Sequence, residues 1–388
     1  MKLTKKIEQF IKLESTSGLI LLTSAIFALI WANVSPVTYS SFLQTTTSIS
    51  LFNSSTLTLT TTELINDVLM ALFFFVVGVE LKVEIMEGSL SSVRKTMLPA
   101  TMAMFGFILP AIIYSISIHF DQELIKGWAI PTATDIAFAL GILSIFGERV
   151  PRNLKLLLLA LAVIDDLFGI ITIAIFYTSH IDYVYLGLFF STILLCVVFN
   201  KYAGIRNIGI YFFMFALMWV FAHKSGIHST IAGIALAFTM PFKGTPTSPT
   251  SPAKVTQKAI LPYSSFVIIP LFTIANAGVY LLDATPSDLL NNVTIGLILG
   301  LVLGKMVGIS LSAIICFKLK IFKIPKGVTN GMILSIAALG GIGFTVALFV
   351  GGLSGVTPIH YKLGIFIGTA LSAVIGATLL HINLPRTK

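Results

Sequence analysis

The stretch LLLLALAVIDDLFGIITIAIF, residues 156–176, decides the class of fold. It is as long as the roughly 20 apolar residues that a helix needs to cross the hydrocarbon of a bilayer. Its only charged residues, Asp165 and Asp166, lie about halfway along it. Because a charge at the bilayer centre costs at least about 2.5–3.5 kcal/mol on insertion scales, such residues mark ion or proton pathways. The stretch therefore predicts a membrane-crossing helix with a functional centre.

The composition extends this prediction to the whole chain. Of its 388 residues 56% are hydrophobic and 11% charged, and the mean hydropathy is +0.97. A soluble domain carries about 25% charged residues, so these values exclude both a soluble and a disordered chain. Cys196 and Cys316 lie inside apolar runs, which argues against a disulfide framework or a metal motif. We predict an all-α polytopic membrane protein that forms one integral membrane domain over residues 1–388.

Apolar windows of about 20 residues predict about twelve transmembrane helices. The seventh and eighth windows are short and nearly fused, so ten or eleven helices are also possible. The windows lie near residues 16–34, 63–81, 96–118, 128–147, 154–177, 183–200, 206–222, 226–241, 259–280, 291–316, 328–351 and 361–382.

The positive charges predict the orientation. With a cytoplasmic N-terminus, most of the 25 lysine and arginine residues, Lys82 among them, lie in cytoplasmic segments. The outer loops then hold only Lys126, Lys224 and Lys362, and Lys305 lies within a span. We therefore predict that both termini are cytoplasmic. The net charge of +9 reports this topology and not a nucleic-acid partner.

Two segments between spans have distinctive patterns. Residues 45–62 alternate in period two around Asn-Ser-Ser, which predicts a small β-hairpin on the outer face. Residues 243–258 are rich in proline, serine and threonine, which is typical of a linker.

Two spans are interrupted near their centres. The fourth reads AIPTATDIAFALG from residue 129, and Pro131 removes a backbone donor there. The eleventh reads AALGGIGFTVALF from residue 337, with breaks at Gly340, Gly341 and Gly343. Two broken helices that cross in opposite directions are typical of inverted-repeat transporters, which build their ion site at the crossing. The repeats would cover about residues 96–177 and 291–382.

Asp135, Asp165, Asp166 and Lys305 are the ionisable residues predicted well inside the spans. Asp165 could pair with Lys305 merely to neutralise both, but three acids exceed one lysine. Two close carboxylates rarely both ionise at low dielectric, so the pair would hold either protons or a hard cation. Asp135 could compensate the positive ends of the broken helices or ligate the cation directly, and Lys305 could compensate their negative ends.

Glu80 and Glu84 lie four residues apart near the end of the second span. They could form a solvated helix end together with Lys82, or an acidic cytoplasmic funnel that attracts cations. The sequence leaves both interpretations open.

Seven stretches of the chain resemble the bacterial NhaA-type sodium/proton antiporters, over essentially its whole length. They are NDVLMALFFFVVGVELKVEIMEGSL, GWAIPTATDIAFALGIL, ALAVIDDLFGIITIAIFY, KSGIHSTIAG, IPLFTIANAGV, GKMVGIS and GIGFTVALF. The resemblance implies a secondary antiporter of the bacterial inner membrane that extrudes sodium or lithium for inward protons, electrogenically and without a cofactor. It also implies roles in sodium and pH homeostasis.

The resemblance also implies roles for single residues. Asp166 is implied as the ion-binding aspartate and Asp165 as its neighbour, paired with Lys305. Support from the broken fourth span is implied at Thr134 and Asp135, the pH response at Glu80 and Glu84, and homodimer contacts at the outer hairpin. Gln257, Lys258, Leu261 and Val83 depart from the family pattern, so the steepness of a pH switch does not follow from the resemblance.

Two other functions fit the sequence less well. An intramembrane aspartyl protease would carry a Gly-x-Gly-Asp loop, which is absent, so we do not expect an enzyme. A sodium-coupled symporter for an organic solute would need a polar cavity, but the spans hold few polar residues. No P-loop for ATP occurs in the chain either.

Overall fold

A computed structural model describes residues 2–51, 55–88, 93–178, 181–244, 250–282 and 284–385. For residues 2–15, 49–51, 55–57 and 93–95 it describes the backbone alone. The predicted hairpin turn at residues 52–54 and residues 245–249 of the predicted linker lie outside the described residues.

Helices make up most of the fold, as the composition predicts. In chain order they are α1 Lys2–Val34, α2 Pro36–Gln44, α3 Thr61–Met86, α4 Val93–Ser117, α5 Ile136–Ile145, α6 Arg152–Phe176, α7 Tyr183–Lys201, α8 Ile208–Ser225, α9 Ile231–Thr239, α10 Pro252–Ala277, α11 Pro286–Leu289, α12 Asn292–Lys318, α13 Asn330–Leu339, α14 Phe344–Leu353 and α15 Pro358–Asn383. Single 3₁₀ turns occupy Leu124–Gly127, Ile130–Thr132 and Gly147–Arg149.

Ten helical segments in the described part of the chain are long and apolar enough to cross a membrane. The pair α13 and α14, bent by 44° at its break, makes an eleventh. The predicted eighth span, residues 226–241, contains only the nine-residue helix α9. At 1.5 Å per residue α9 is about 14 Å long, less than half of the hydrocarbon thickness. The number of spans is therefore ten or eleven and not twelve. The shortness of the seventh and eighth windows had left these lower numbers open.

The predicted hairpin is present. Strand β1, Thr46–Leu51, pairs antiparallel with strand β2, Ser55–Thr60, in a register that sets Thr46 opposite Thr60. The hairpin leads directly into α3, whose first turn is held by a reciprocal capping box between Thr60 and Glu63.

The chain forms two compact units, and the broken helices belong to the first. This first unit comprises Met1–Leu29, Glu84–Gly169 and Val279–Lys388. Its apolar core is built by α4, α5, α6, α12, α13 and α15, and includes Met102, Leu140, Leu158, Ile309, Ile336 and Leu380. Glycines let α12 pack closely on α4: a Cβ at Gly308 would lie 2.4 Å from the carbonyl oxygen of Phe105.

The second unit comprises Ile30–Val83 and Ile170–Gly278. Its core contains Phe75, Phe189, Tyr211, Met218 and Leu236 from α3, α7, α8 and α9. The contact between α9 and α3 also requires glycine, because a Cβ at Gly233 would lie 1.9 Å from the carbonyl oxygen of Ala71.

Some sequence-based boundaries were wrong. The predicted linker at residues 243–258 ends earlier, because α10 begins at Pro252 with Ser251 as its cap. Proline is favoured in the first turn of a helix, where its missing N–H leaves no bond unmade. Lys82 and Lys362 lie within helices and not in loops. Lys82 is buried, whereas Ile85 and Met86 at the end of the same helix are exposed.

Candidate ion-binding site

The first helix break lies between the 3₁₀ turn Ile130–Thr132 and α5. The backbone is extended at Ala133 (ψ 150°) and at Asp135 (φ −93°, ψ 104°). Pro131 removes a donor before this point, and threonine at 132 and 134 offers side-chain hydrogen bonds that compete with helical ones. The break predicted from this composition is therefore confirmed.

The second break, residues 340–343, separates α13 from α14 and is also confirmed. A Cβ at Gly341 would lie 2.1 Å from the carbonyl oxygen of Leu301, so only glycine permits this close approach to α12. The two breaks touch each other: the backbone N–H of Asp135 donates to the carbonyl of Ile342 over 2.5 Å. The hydroxyl of Thr134 donates to the carbonyl of Gly340 over 2.7 Å.

The carboxylate of Asp135 joins the first turns of both half-helices. Its Oδ1 accepts from the backbone N–H of Phe138 in α5 at 3.1 Å. Its Oδ2 accepts from the backbone N–H of Thr345 in α14 at 3.1 Å, and from the Thr345 hydroxyl at 2.6 Å. One buried carboxylate thus satisfies donors at two helix N-termini, where backbone N–H groups have no helical partner.

Lys305 and Asp165 form a buried ion pair beside the breaks. The Nζ of Lys305 lies 2.6 Å from Oδ2 of Asp165 and also donates to the hydroxyl of Thr134 over 3.0 Å. Lys305 is 0% exposed and Asp165 is 3% exposed. Lys305 directly follows a widened π-turn, Gly300–Gly304, in α12. Such turns re-aim side chains and are frequent at functional sites.

Two carboxyl groups of this site differ in their surroundings. Oδ1 of Asp165 is buried and has no hydrogen-bond partner among the described residues. Asp166 follows on the same helix but is only partly buried, and its negative charge interacts with the positive charge of Lys305. Because neighbouring residues on a helix point about 100° apart, Asp165 faces the buried pair while Asp166 faces a more open side.

The structure brings Thr134, Asp135, Asp165, Lys305 and the break at Gly340 together. Glu80 and Glu84 lie one turn apart near the C-terminal end of α3, and both are partly buried.

Sequence reasoning missed the contacts of two residues, one at this site and one in the second unit. Thr345 donates two hydrogen bonds to Asp135. Its position, two residues after the glycine break, could have indicated this role. Lys82 donates to three carbonyl groups at the end of α9. Nothing in the local sequence of Lys82 signals this, since its partners lie more than 150 positions away.

The first unit therefore defines a class of protein: a polytopic membrane protein with a buried carboxylate–lysine site at the meeting point of two interrupted helices. Comparison with known proteins identifies the family. The family model for "Na+/H+ antiporter 1" matches residues 8–380. The proteins named Na(+)/H(+) antiporter NhaA from Escherichia coli O1:K1, Salmonella arizonae and Cronobacter sakazakii are each 40% identical, over 98% of this chain and 99% of theirs. The chain belongs to the NhaA family of Na⁺/H⁺ antiporters.

Proposed function

We propose that the protein exchanges intracellular sodium, or lithium, for external protons by alternating access at Asp165 and Asp166. Membership of an antiporter family supports the exchange itself. The site supports the particular residues, because it combines two adjacent carboxyl groups, one ammonium group and interrupted backbone in the membrane-crossing part of the chain.

The observation that carries the proposal is the buried Oδ1 of Asp165, which has no described hydrogen-bond partner. A buried carboxylate oxygen without a partner carries a large desolvation penalty. A proton or a dehydrated sodium ion would remove that penalty, and the two cannot occupy the same oxygen together. Competition between them at one carboxyl group is the chemical basis of antiport.

Lys305 adds a charge constraint to this competition. A sodium ion bound at Asp165 and Asp166 would bring a positive charge close to the ammonium group, which already pairs with Asp165 over 2.6 Å. Sodium binding would therefore weaken the Lys305–Asp165 ion pair and favour loss of a proton from the Lys305 ammonium group. If the coupled groups release two protons for each sodium ion, one net charge moves in each cycle, so we propose electrogenic exchange.

Thr134 and Asp135 would support the site without binding the ion. Asp135 already accepts from Phe138 N–H, Thr345 N–H and the Thr345 hydroxyl. These bonds favour the dipole-compensation role over direct ligation, since a negative charge at two helix N-termini is stabilising there. Lys305 would compensate the negative C-terminal end of α13. It donates to the hydroxyl of Thr134, which in turn donates to the carbonyl of Gly340 at that end.

Several wider features belong to the same proposal. The segments around residues 96–177 and 291–382 would be inverted repeats, each with one interrupted helix. Glu80 and Glu84 would attract cations at a cytoplasmic funnel, the β-hairpin would pair two copies, and both termini would be cytoplasmic in the bacterial inner membrane. Sodium and protons would be the substrates, with no cofactor required.

The test is sodium-induced proton release from proteoliposomes, measured with an internal pH dye. We expect Asp166→Asn to insert and fold but to show no exchange at any pH, because an amide cannot alternate between carboxylate and acid. Asp288→Asn, at a partly buried acid of the same unit that lies outside the site, is the matched control and should exchange normally. Normal exchange in Asp166→Asn would refute the site assignment.

The competition predicts a second readout in the same assay. Below the apparent pKa of the site, the apparent sodium constant should rise about tenfold per pH unit for one competing proton, and nearly a hundredfold for two coupled protons. A sodium constant that is independent of pH, with acid lowering only the maximal rate, would place the protons at a separate gate.

A further inference from the structure

An apolar groove of about 610 Å³ runs along α1 in the first unit. One wall consists of α1 between Gly18 and Leu29, and α5 and α15 supply the others. Its rim is exposed hydrocarbon: Leu19 is 64% exposed and Ile145 is 80% exposed. The hydroxyl of Ser144 is turned back to the carbonyl of Gly141 over 2.7 Å, and the hydroxyl of Thr369 is buried. The groove therefore presents an almost wholly apolar surface.

The floor of the groove belongs to the half-helices that carry the candidate site. The rings of Phe138 and Phe344 contact each other edge to face, with centroids 5.0 Å apart, and Phe366 lies 5.9 Å beyond Phe344. Phe138 also donates its backbone N–H to Asp135, and Phe344 directly precedes Thr345. Whatever fills the groove thus rests on the first turns of both α5 and α14.

We propose that this groove binds one acyl chain of a membrane phospholipid. Its walls α1, α5 and α15 all belong to helical segments that are long and apolar enough to cross a bilayer. In a bilayer, such a groove faces the hydrocarbon chains of the lipids. An empty apolar hollow would forfeit the dispersion contacts that close packing supplies.

The sequence of α1 before the groove contains more basic than acidic residues. Lys12 precedes Gly18 by six residues on one continuous helix, about 9 Å along its axis. Lys2, Lys5 and Lys6 extend this basic segment towards the N-terminus. Glu8 and Glu14 lie in the same segment, so four lysines stand against two glutamates and the excess of positive charge is modest. A lipid with an anionic headgroup is favoured beside such a segment.

The experiment measures quenching of a single indole by phospholipid with brominated acyl chains, added to the full-length protein in detergent. In one protein Phe366→Trp is the sole indole, with Trp31, Trp128 and Trp219 replaced by phenylalanine. The matched control retains only the native Trp128, which lines a smaller hollow of about 250 Å³ in the same unit. Brominated phosphatidylglycerol is the probe.

We expect the groove indole to be quenched saturably, with one lipid per protomer, while quenching of Trp128 rises without saturation. Ala370→Phe fills the groove and should raise the half-saturating lipid concentration about tenfold or more. Ala373→Leu, on the same wall, serves if the first variant fails to fold as judged by size exclusion. Equal, unsaturable quenching of both indoles, absence of quenching in the groove, or insensitivity to both filling variants would overturn the proposal.

Discussion

Lys305 in the first unit and Lys82 in the second are both buried, yet their positive charges are compensated in different ways. Lys305 pairs with the carboxylate of Asp165 over 2.6 Å. Lys82 donates to the carbonyl oxygens of Ala237, Phe238 and Met240 over 2.8–3.0 Å, at the C-terminal end of α9. A helix C-terminus carries a partial negative charge and unpaired carbonyls, so it can hold an ammonium group.

The two sites differ in whether a second titratable group lies against the lysine. A carboxylate gains or loses a proton within the range of cellular pH when its surroundings shift it, whereas a backbone carbonyl does not. Under the proposed function, the pair Lys305–Asp165 would change charge during the transport cycle. The described hydrogen-bond partners of Lys82 are backbone carbonyls, which stabilise the end of a short helix but do not titrate.

The largest effect is expected for Lys305→Met. Removal of one partner leaves the carboxylate of Asp165 buried and unpaired, which typically costs about 3–5 kcal/mol. Thermal unfolding in detergent should show this loss, and exchange should be abolished. The double variant Lys305→Met with Asp165→Asn should recover most of the stability and none of the exchange. A double variant as unstable as the single one would mean that packing, and not charge, holds the pair together.

Lys82→Met should destabilise less and in another way. It leaves carbonyl oxygens at the end of α9 without their donor, at about 1–3 kcal/mol for an unsatisfied buried group. No acid lies among its described hydrogen-bond partners, so no second substitution of a carboxylate should rescue it. The apparent sodium constant of the folded fraction should be unchanged. An altered sodium constant in proteoliposomes would show that Lys82 takes part in the ion site.

Asp135→Asn tests the opposite case, an acid that compensates positive helix ends. The amide keeps the size of the side chain and one acceptor oxygen but loses the charge shared by α5 and α14. We expect a loss of about 1–2 kcal/mol in thermal unfolding, from the dipole contributions of two N-termini. Thr345→Val removes only the hydroxyl bond to Asp135 and should destabilise less than Asp135→Asn. The reverse order would contradict the role of the charge.

The smallest effect concerns a partly buried pair outside the site, Asp288 and His360, whose Oδ1 and Nε2 lie 3.0 Å apart. Hydrogen bonds from the hydroxyl and backbone N–H of Thr285, and from His360, hold the pKa of Asp288 below its ordinary value of 3.8. A lowered pKa of an acid means stability that is present above the ordinary value and lost as pH falls through the folded value. Asp288→Asn should therefore lower the unfolding temperature slightly at pH 5 and above. The difference from the unchanged protein should shrink below pH 4, and a gap that widens with acid would refute this.

Local sequence patterns were enough to predict the helical membrane fold, the hairpin and both breaks. Each of these rests on a few adjacent residues: an apolar run, a period-two alternation, or proline and glycine within a span. The pairing of Lys305 with Asp165 was also open to prediction, because few charges in the spans leave few partners.

The sequence could not predict contacts made by the backbone of distant segments. The bond from Asp135 N–H to the Ile342 carbonyl, and those from Lys82 to α9, depend on where carbonyl groups lie, and every residue has one. For the same reason the eighth apolar window was ambiguous. Hydropathy shows that residues 226–241 are apolar. It does not show that their helix ends after nine residues, where its last carbonyls accept from Lys82.

The shared carboxylate of Asp135 fixes the chain length on both sides of it. Inserting one residue between Asp135 and Phe138, or between Gly343 and Thr345, would turn the following half-helix by about 100° and advance it by about 1.5 Å. Phe138 N–H or Thr345 N–H would then point away from the carboxylate that now receives both. The two breaks are thus intolerant of insertions in a way that surface loops are not, and each constrains the length of the other although some 200 residues separate them in the chain.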